Sequence, residues 1–155
     1  MAQTTGAITG ATGKIEMSVD NGSTYIDISG SASSIDGIDF SRVTGSQTTF
    51  AGEYRIITAG KQLPTTITIN ALYTEVNQES AKLAVSGLKN KQPIKLRWQY
   101  ADVGATTYYR WFNIGTGRVG VVTLPESNAE NGEPIMVSFT VEVGGVDYEL
   151  IEPEE

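Results

Sequence analysis

The sequence contains no cysteine and no histidine among its 155 residues. Without cysteine there is no disulfide bond, no thiolate nucleophile and no thiolate metal site. Without histidine the commonest general base and the commonest transition-metal ligand are missing as well. The usual layouts of hydrolases and metalloenzymes are therefore excluded, and we expect a protein that is not an enzyme and uses no cofactor or metal. Catalysis by paired carboxylates or by a Ser–Lys pair is the enzymatic alternative that stays open.

Long apolar runs are missing too. No stretch of about 18 apolar residues exists, so the sequence predicts no membrane span. The first residues, MAQTTGAITGATG, have neither the basic end nor the apolar stretch of a secretory signal, so we expect no export. A hydrophobic content of 39% and a charged content of 19% are typical of soluble globular proteins.

Charge is unevenly distributed along the chain, whose net charge is −7. From Lys82 to Arg118 there are seven basic residues and one acidic residue, Asp102. From Val119 onward there is no Lys or Arg, while nine acidic residues follow: Glu126, Glu130, Glu133, Glu142, Asp147, Glu149, Glu152, Glu154 and Glu155. This pattern fits either a solvated acidic surface or complementary faces that support head-to-tail contacts between copies. Tight binding of nucleic acid is disfavoured, because it needs clustered Lys and Arg.

Strand patterns dominate what is present. KIEMSV alternates apolar and polar residues, and Asn21-Gly22 after it predicts a hairpin turn that needs positive φ at both residues. The segments PTTITINALYTE, IKLRWQY, TYYRWFNI, TGRVGVVTL, PIMVSFTVEV and VDYELI also have strand character. We therefore predict a mainly β chain of eight or nine strands, an antiparallel β-sandwich or barrel with one flanking α-helix.

The helix is predicted at about residues 78–90, with Asn77 as its N-cap and Pro93 beyond its end. Leu83, Ala84 and Leu88 are expected to face inward, and Gly87 weakens the pattern. The sandwich is expected to occupy residues 14–151 as one domain. A flexible N-terminal arm is expected at residues 1–13 and an acidic C-terminal tail at 152–155.

Residues 41–64, SRVTGSQTTFAGEYRIITAGKQLP, have no clean period, and we interpret them as one long loop. Loops within compact domains rarely exceed about 12–15 residues unless they serve a function. A loop of this length therefore calls for a functional explanation.

Three sequence features resemble binding motifs. ITGATGKIE imitates a nucleotide-binding loop, but a hairpin strand follows it where that motif needs a helix. The aspartates of residues 20–39 lack the spacing of a calcium loop. Aromatic residues on the predicted strands could form a sugar-binding platform. The alternative function is therefore a carbohydrate-binding or adhesin-type β-sandwich of a virion or cell surface. The aromatic residues in question are Trp98, Tyr100, Tyr108, Tyr109 and Trp111.

The order of segments carries a resemblance to a known family. A short hairpin with DNGSTYIDISG is followed by a long excursion, by ITAGKQLPTTITINALYTE, by one helix, and by strands ending in PIMVSFTVEVGG. This order, which spans nearly the whole chain, resembles the major tail tube proteins of long-tailed (siphovirus-type) bacteriophages. The resemblance implies a β-sandwich fold shared with the tubes of contractile tails and of type VI secretion.

The resemblance also implies a function. In the family, subunits form homohexameric rings that stack into a tube, through which DNA passes without specific binding. It implies a virion protein that is assembled in the host bacterial cytoplasm and meets tape-measure, tail-tip and tail-terminator proteins. It implies that residues 41–64 contact the next ring, with apolar anchors and charged partners at Arg42, Phe50, Tyr54, Arg55, Ile56 and Lys61. Acidic residues expected to line the lumen, where like charge prevents tight phosphate contacts, are Glu16, Asp27, Glu75 and Glu142.

Overall fold

The computed structural model describes residues 2–4, 7, 13–100, 108–127, 130 and 132–152. Most of the predicted N-terminal arm, and residues 153–155 of the predicted tail, lie outside the described residues. In the described part the chain forms eleven strands and one helix, in the following order: β1 (Lys14–Ser18), β2 (Ile26–Asp27), β3 (Ala32–Asp36), β4 (Arg42–Gln47), β5 (Ile56–Gln62), β6 (Thr65–Leu72), α1 (Ser80–Lys89), β7 (Lys95–Gln99), β8 (Tyr108–Asn113), β9 (Arg118–Thr123), β10 (Met136–Val143) and β11 (Val146–Ile151).

The strands form two main sheets and a separate hairpin. A five-stranded sheet has the order β11-β8-β7-β1-β2, and a four-stranded sheet has the order β3-β6-β10-β9. All pairings in both sheets are antiparallel. The third unit is a two-stranded sheet of β4 and β5. The mainly β, antiparallel fold with a flanking helix that the sequence predicts is confirmed.

The core lies between the two main sheets. Met17, Leu96 and Trp98 from the five-stranded sheet meet Ile69 and Phe139 from the four-stranded sheet in one buried cluster. Burial alternates along β6 and β10, which is the sandwich pattern expected from their alternating sequences. The two sheets therefore bury one face each against the other.

The first hairpin turns where the sequence predicts. Asn21 and Gly22 have φ values of 60° and 90°, as the Asn-Gly pair requires. The Ser18 hydroxyl donates to the Asp20 carboxylate at 2.6 Å, and that carboxylate accepts the Thr24 N–H at 2.9 Å. The hydrogen bond from Ser18, followed by that from Thr24, lowers the pKa of Asp20. These local bonds hold the turn in place.

The helix α1 differs from the prediction in its cap and in its inward face. Its N-cap is Glu79, which makes no side-chain capping bond, rather than Asn77. The N–H of Ser80 instead donates to the Ser31 hydroxyl at 3.2 Å, which ties the helix start to the sandwich. Leu83 is buried, but Leu88 is 42% exposed, so its predicted inward position is wrong.

The prediction of one long loop over residues 41–64 is wrong. β4 and β5 occupy 13 of those positions, and Thr44 pairs with Ala59, Gly45 with Thr58, and Gln47 with Ile56. Every residue from 41 to 61 is exposed. Because neither face of this ribbon is buried, its sequence carries no alternation that would reveal strands.

Candidate functional site

The β4–β5 hairpin projects from the sandwich and presents unpaired apolar side chains. Phe50, Tyr54 and Ile57 are 112%, 81% and 73% exposed. A two-stranded hairpin without further packing is at best marginally stable in water. The hairpin therefore gains stability when its exposed apolar side chains pack against another protein surface.

The predicted stacking residues all lie on this hairpin, and each is exposed. Arg42 begins β4, and its Nη1 donates to the Gly60 carbonyl across the ribbon at 2.7 Å. Phe50 and Tyr54 lie in the connection between the strands, and Ile56 begins β5. Arg55 and Lys61 bring positive charge to the same segment.

The base of the hairpin is fixed to the sandwich by residues that the sequence analysis did not identify. The side-chain amide oxygen of Gln62, Oε1, accepts a hydrogen bond from the backbone N–H of Val146 at 3.1 Å. This bond joins the end of β5 to the start of β11. The Leu63 N–H donates to the Ser41 carbonyl at 3.0 Å and closes the base. No sequence pattern marks Gln62, because its partner lies 84 positions away.

Two of the four lumen candidates share a face. Glu16 on β1 pairs with Asp27 on β2, on the outer side of the five-stranded sheet, away from the core. Glu142 on β10 lies on the outer side of the four-stranded sheet, opposite Thr66. Glu75 lies between β6 and α1, where its carboxylate accepts the Tyr73 hydroxyl at 3.1 Å. The four residues therefore do not share one face of the sandwich.

Glu16 is held in an ion-pair cluster. Its carboxylate is 2.9 Å from Lys14 Nζ and accepts a short hydrogen bond from Arg97 Nε. Burial alone would raise the pKa of Glu16, but the bonds from Lys14 and Arg97 outweigh it, so the pKa lies below its ordinary value. Arg97 also lies over the Tyr25 ring at 3.9 Å. The cluster therefore fixes the charges of this face in place.

The outer face of the five-stranded sheet is charge-balanced rather than acidic. The pairing register places four cations and four anions on that face of the strands: Lys14, Lys95, Arg97, Arg110, Glu16, Asp27, Asp147 and Glu149. Arg110 and Glu149 are paired on it at 2.5 Å. The surface around Glu16 and Asp27 on these strands is therefore mixed in charge and not predominantly acidic.

The predicted sugar-binding platform does not form. Trp98 is a core residue at 2% exposure. Tyr108 and Tyr109 follow each other in β8 and so point to opposite faces of the sheet. The five rings therefore do not form one exposed platform, and no observation favours the carbohydrate-binding alternative.

Two of those rings, Tyr109 and Trp111, belong instead to a partly exposed aromatic group with Phe40 and Tyr148. The Trp111 ring lies 5.4 Å from that of Phe40 and 5.3 Å from that of Tyr148, and the Tyr109 ring lies 4.9 Å from that of Tyr148. Leu150, paired with Tyr109, extends the same face. We call these five residues the aromatic shelf. It continues the inner face of β8 and β11 past the point where the four-stranded sheet covers it.

Within the described part of the chain, no group of three or more acidic residues could hold a metal ion. No described helix is long and apolar enough to cross a membrane. The features that stand out are instead surfaces: the hairpin, the aromatic shelf and the edges of the five-stranded sheet, which are unpaired among the described strands.

No family model matches the sequence, and none of the curated proteins is similar to it. Solved structures do match it over nearly its whole length. The sheath–tube complex of the PVC extracellular contractile injection system matches with a TM-score of 0.66 and 15% identity, over 95% of this chain and 94% of that chain. The tail of an empty GTA particle, with C6 symmetry, matches with a TM-score of 0.64 and 10% identity, over 96% and 100%.

The SPP1 tail tube matches with a TM-score of 0.61 and 15% identity, over 96% of this chain and 80% of that chain. The resemblance noted in the sequence is thus confirmed at the level of the fold. The chain has the fold of tail tube proteins.

Proposed function

We propose that this protein is a non-enzymatic structural subunit that polymerises as stacked hexameric rings into the tail tube of a phage or phage-like particle. The tube is the channel through which DNA is ejected into the host. The observation that carries the proposal is the tail-tube fold, which extends over 92–99% of the chain in the similar structures. Two further features of the molecule support it.

The first feature is the exposed hairpin. A ribbon with Val43, Phe50, Tyr54, Ile56 and Ile57 exposed is an aggregation hazard in a protein that works alone. In a stacked assembly the same side chains are buried against another subunit. We propose that residues 41–64 make the contact between rings, with Arg42, Arg55 and Lys61 pairing with acids of the neighbouring ring.

The second feature is the set of open sheet edges. β11 pairs with β8 and β2 pairs with β1, so each edge strand of the five-stranded sheet has one side unpaired among the described strands. Exposed edges invite uncontrolled pairing unless they are closed in a defined register. A ring of subunits closes them by joining sheets edge to edge into a barrel.

We propose that the five-stranded sheet forms this barrel and that its outer face lines the channel. The helix packs against β9, an edge strand of the other sheet, where Gly87 meets Val119. The edges of the five-stranded sheet carry no such cover in the described residues. The channel wall then includes Glu16 and Asp27, while Glu142 lies on the outside of the tube. Fixed ion pairs leave few free cations to hold DNA phosphates.

We also propose partners and a location. Similar structures include a tube-terminating cap, a sheath–tube terminator and a baseplate. A tube built from this chain is accordingly expected to meet a tail terminator at one end, a tail tip at the other and a tape-measure protein inside. The assembled tube is part of the virion tail, and assembly takes place in the host bacterial cytoplasm.

Negative-stain electron microscopy of the purified protein at high concentration tests this function. Hollow tubes or six-fold rings are the expected result. Assembly is repeated with isolated tail tips as seeds, because a nucleus shortens the slow first step of polymerisation. A protein that stays monomeric in both conditions contradicts the proposal.

A further inference from the structure

The turn between β1 and β2 contains a chemically labile pair of residues. Asn21, which is exposed, is followed directly by Gly22. In an Asn-Gly pair the backbone nitrogen of the glycine can attack the side-chain carbonyl carbon of the asparagine, because glycine has no side chain that hinders the approach. Asparagine is for this reason one of the thermolabile residues of proteins.

The reaction needs no reagent other than water. The Gly22 nitrogen forms a bond to Asn21 Cγ and gives up its proton to solvent, and the side-chain amide nitrogen of Asn21 leaves as ammonia. The product is a five-membered cyclic imide. Water then opens the imide at either of its two carbonyls, which leaves aspartate or isoaspartate at position 21.

The folded turn keeps the Gly22 nitrogen away from the Asn21 side chain. Asn21 has a φ of 60°, in the left-handed region, where ψ is about +30 to +60°. At such angles the Gly22 nitrogen and the Asn21 Cβ lie on opposite sides of the Cα–C bond. The imide ring closes only when they lie on the same side, so the backbone must rotate at Asn21 before the reaction begins.

Hydrogen bonds oppose that rotation. The Gly22 N–H donates to the Ser18 hydroxyl oxygen at 2.9 Å. Ser18 is fully buried, and its own hydroxyl donates to the Asp20 carboxylate at 2.6 Å, which fixes the position of the acceptor. The Thr116 hydroxyl donates to Asn21 Oδ1 at 3.4 Å from outside the turn. Rotation at Asn21 turns the Gly22 amide away from Ser18 and breaks the first of these bonds.

We propose that Asn21 is a deamidation site that the native turn protects, and that Ser18 is the residue that maintains the protection. Deamidation then proceeds when the β1–β2 hairpin opens. β2 has 2 residues and pairs with β1 only through Ile26 and Asp27, so this end of the sheet is expected to open more readily than its centre. Isoaspartate adds a carbon atom to the backbone, so it does not fit the same tight turn. The inference goes beyond the proposed function and does not depend on it.

Mass spectrometry follows the reaction, because each conversion raises the mass of the peptide by one unit. Wild-type protein is incubated at one mildly alkaline pH in native buffer and in concentrated guanidinium chloride, and is then digested with an acid protease. Position 21 should react at least about tenfold more slowly in the native protein, because the turn must open first. Equal rates in the two solutions, or no reaction at position 21 in guanidinium chloride, overturn the proposal.

Ser18→Ala tests the role of the hydroxyl. Without an acceptor for the Gly22 N–H, deamidation at position 21 of the native protein should be about fivefold faster or more, and amide exchange at Gly22 should be faster too. The other Asn-Gly pair of the chain, Asn131-Gly132, is the internal reference in the same sample and should react at its wild-type rate. Ser46→Ala on the exposed strand β4 is the matched control and should change neither rate.

The outcomes for the variant are equally sharp. A rate at position 21 that stays at the wild-type value, or that rises only together with the rate at position 131, overturns the role of Ser18. The comparison of native and unfolded wild-type protein needs no variant, so it decides the protection by the turn even if Ser18→Ala does not fold.

Discussion

At the scale of single residues, Glu16 shows how the five-stranded sheet fixes its charges. Lys14 on the same strand and Arg97 on the neighbouring strand both reach its carboxylate, whose side chain is 13% exposed. The hydrogen bond that Lys14 donates to the Glu16 carboxylate is also the largest cause of the raised pKa of Lys14. Both shifts favour the charged forms, so the pair stabilises the fold in the range where both groups are ionised.

This pairing predicts a pH-dependent stability. The folded-state pKa of Glu16 lies below its ordinary value of 4.5, so its contribution is complete above that value and is lost as pH falls through the folded pKa. Glu16→Gln should lower the free energy of unfolding at pH 7 by about 1 kcal/mol, the upper range for exposed pairs. The difference from wild type should vanish in strong acid. Urea unfolding at several pH values measures both.

Glu53→Gln is the control for that experiment, because Glu53 lies exposed between β4 and β5. It should not change stability at any pH. A Glu16→Gln variant that remains less stable than wild type by the same amount in strong acid would show that packing, and not the ion pair, is responsible.

At the scale of elements, the orientation of the hairpin depends on Gln62. Gln62→Ala removes the acceptor of the Val146 N–H, which should lower the free energy of unfolding by about 1 kcal/mol and speed amide exchange at Val146. Gln62→Glu keeps an oxygen acceptor and should retain slow exchange. If Val146 exchanges at the wild-type rate in Gln62→Ala, the side chain does not hold the base of the hairpin.

The hairpin can be shortened without disturbing the sandwich. Thr44 and Ala59 face each other in the ribbon, so Asn-Gly in place of residues 45–58 closes a tight hairpin between them. The variant should remain a folded β protein with the circular dichroism of the wild type, because none of the removed residues is buried. It should form no tubes by electron microscopy. Tubes of normal length from this variant would refute the contact between rings.

The sequence predicts the elements that bury one face and misses those that bury none. Strands β6 and β10 alternate in sequence because they alternate in burial. The hairpin strands are exposed on both faces, so burial imposes no period on them.

In the helix, Gly87 weakens the predicted pattern, yet a Cβ there would lie 3.2 Å from Ile94 Cδ1 and 3.3 Å from Val119 Cγ2. The glycine allows close packing, which no local pattern reveals.

At the scale of the whole molecule, the candidate surfaces depend on which strands share a sheet. The alternating sequences around Glu16, Asp27 and Glu142 show that each side chain points away from the core. They do not show that β10 belongs to one sheet and β1 and β2 to the other, because sheet membership depends on pairing between strands distant in sequence. The charge balance on the outer face of the five-stranded sheet arises in the same way, from cations on β7 and β8 that meet acids on β1 and β11.

The face that lines the channel can be identified by chemical labelling, since the chain has no native cysteine. Asp27→Cys and Glu142→Cys are each assembled into tubes and treated with a small maleimide or with a large polyethylene-glycol maleimide. Both positions should react with the small reagent. The large reagent should modify position 142 but not position 27, because a channel that passes DNA excludes a bulky polymer. Unassembled protein, in which both positions are open, is the control. Protection of position 142 instead of 27 would assign the channel to the four-stranded sheet.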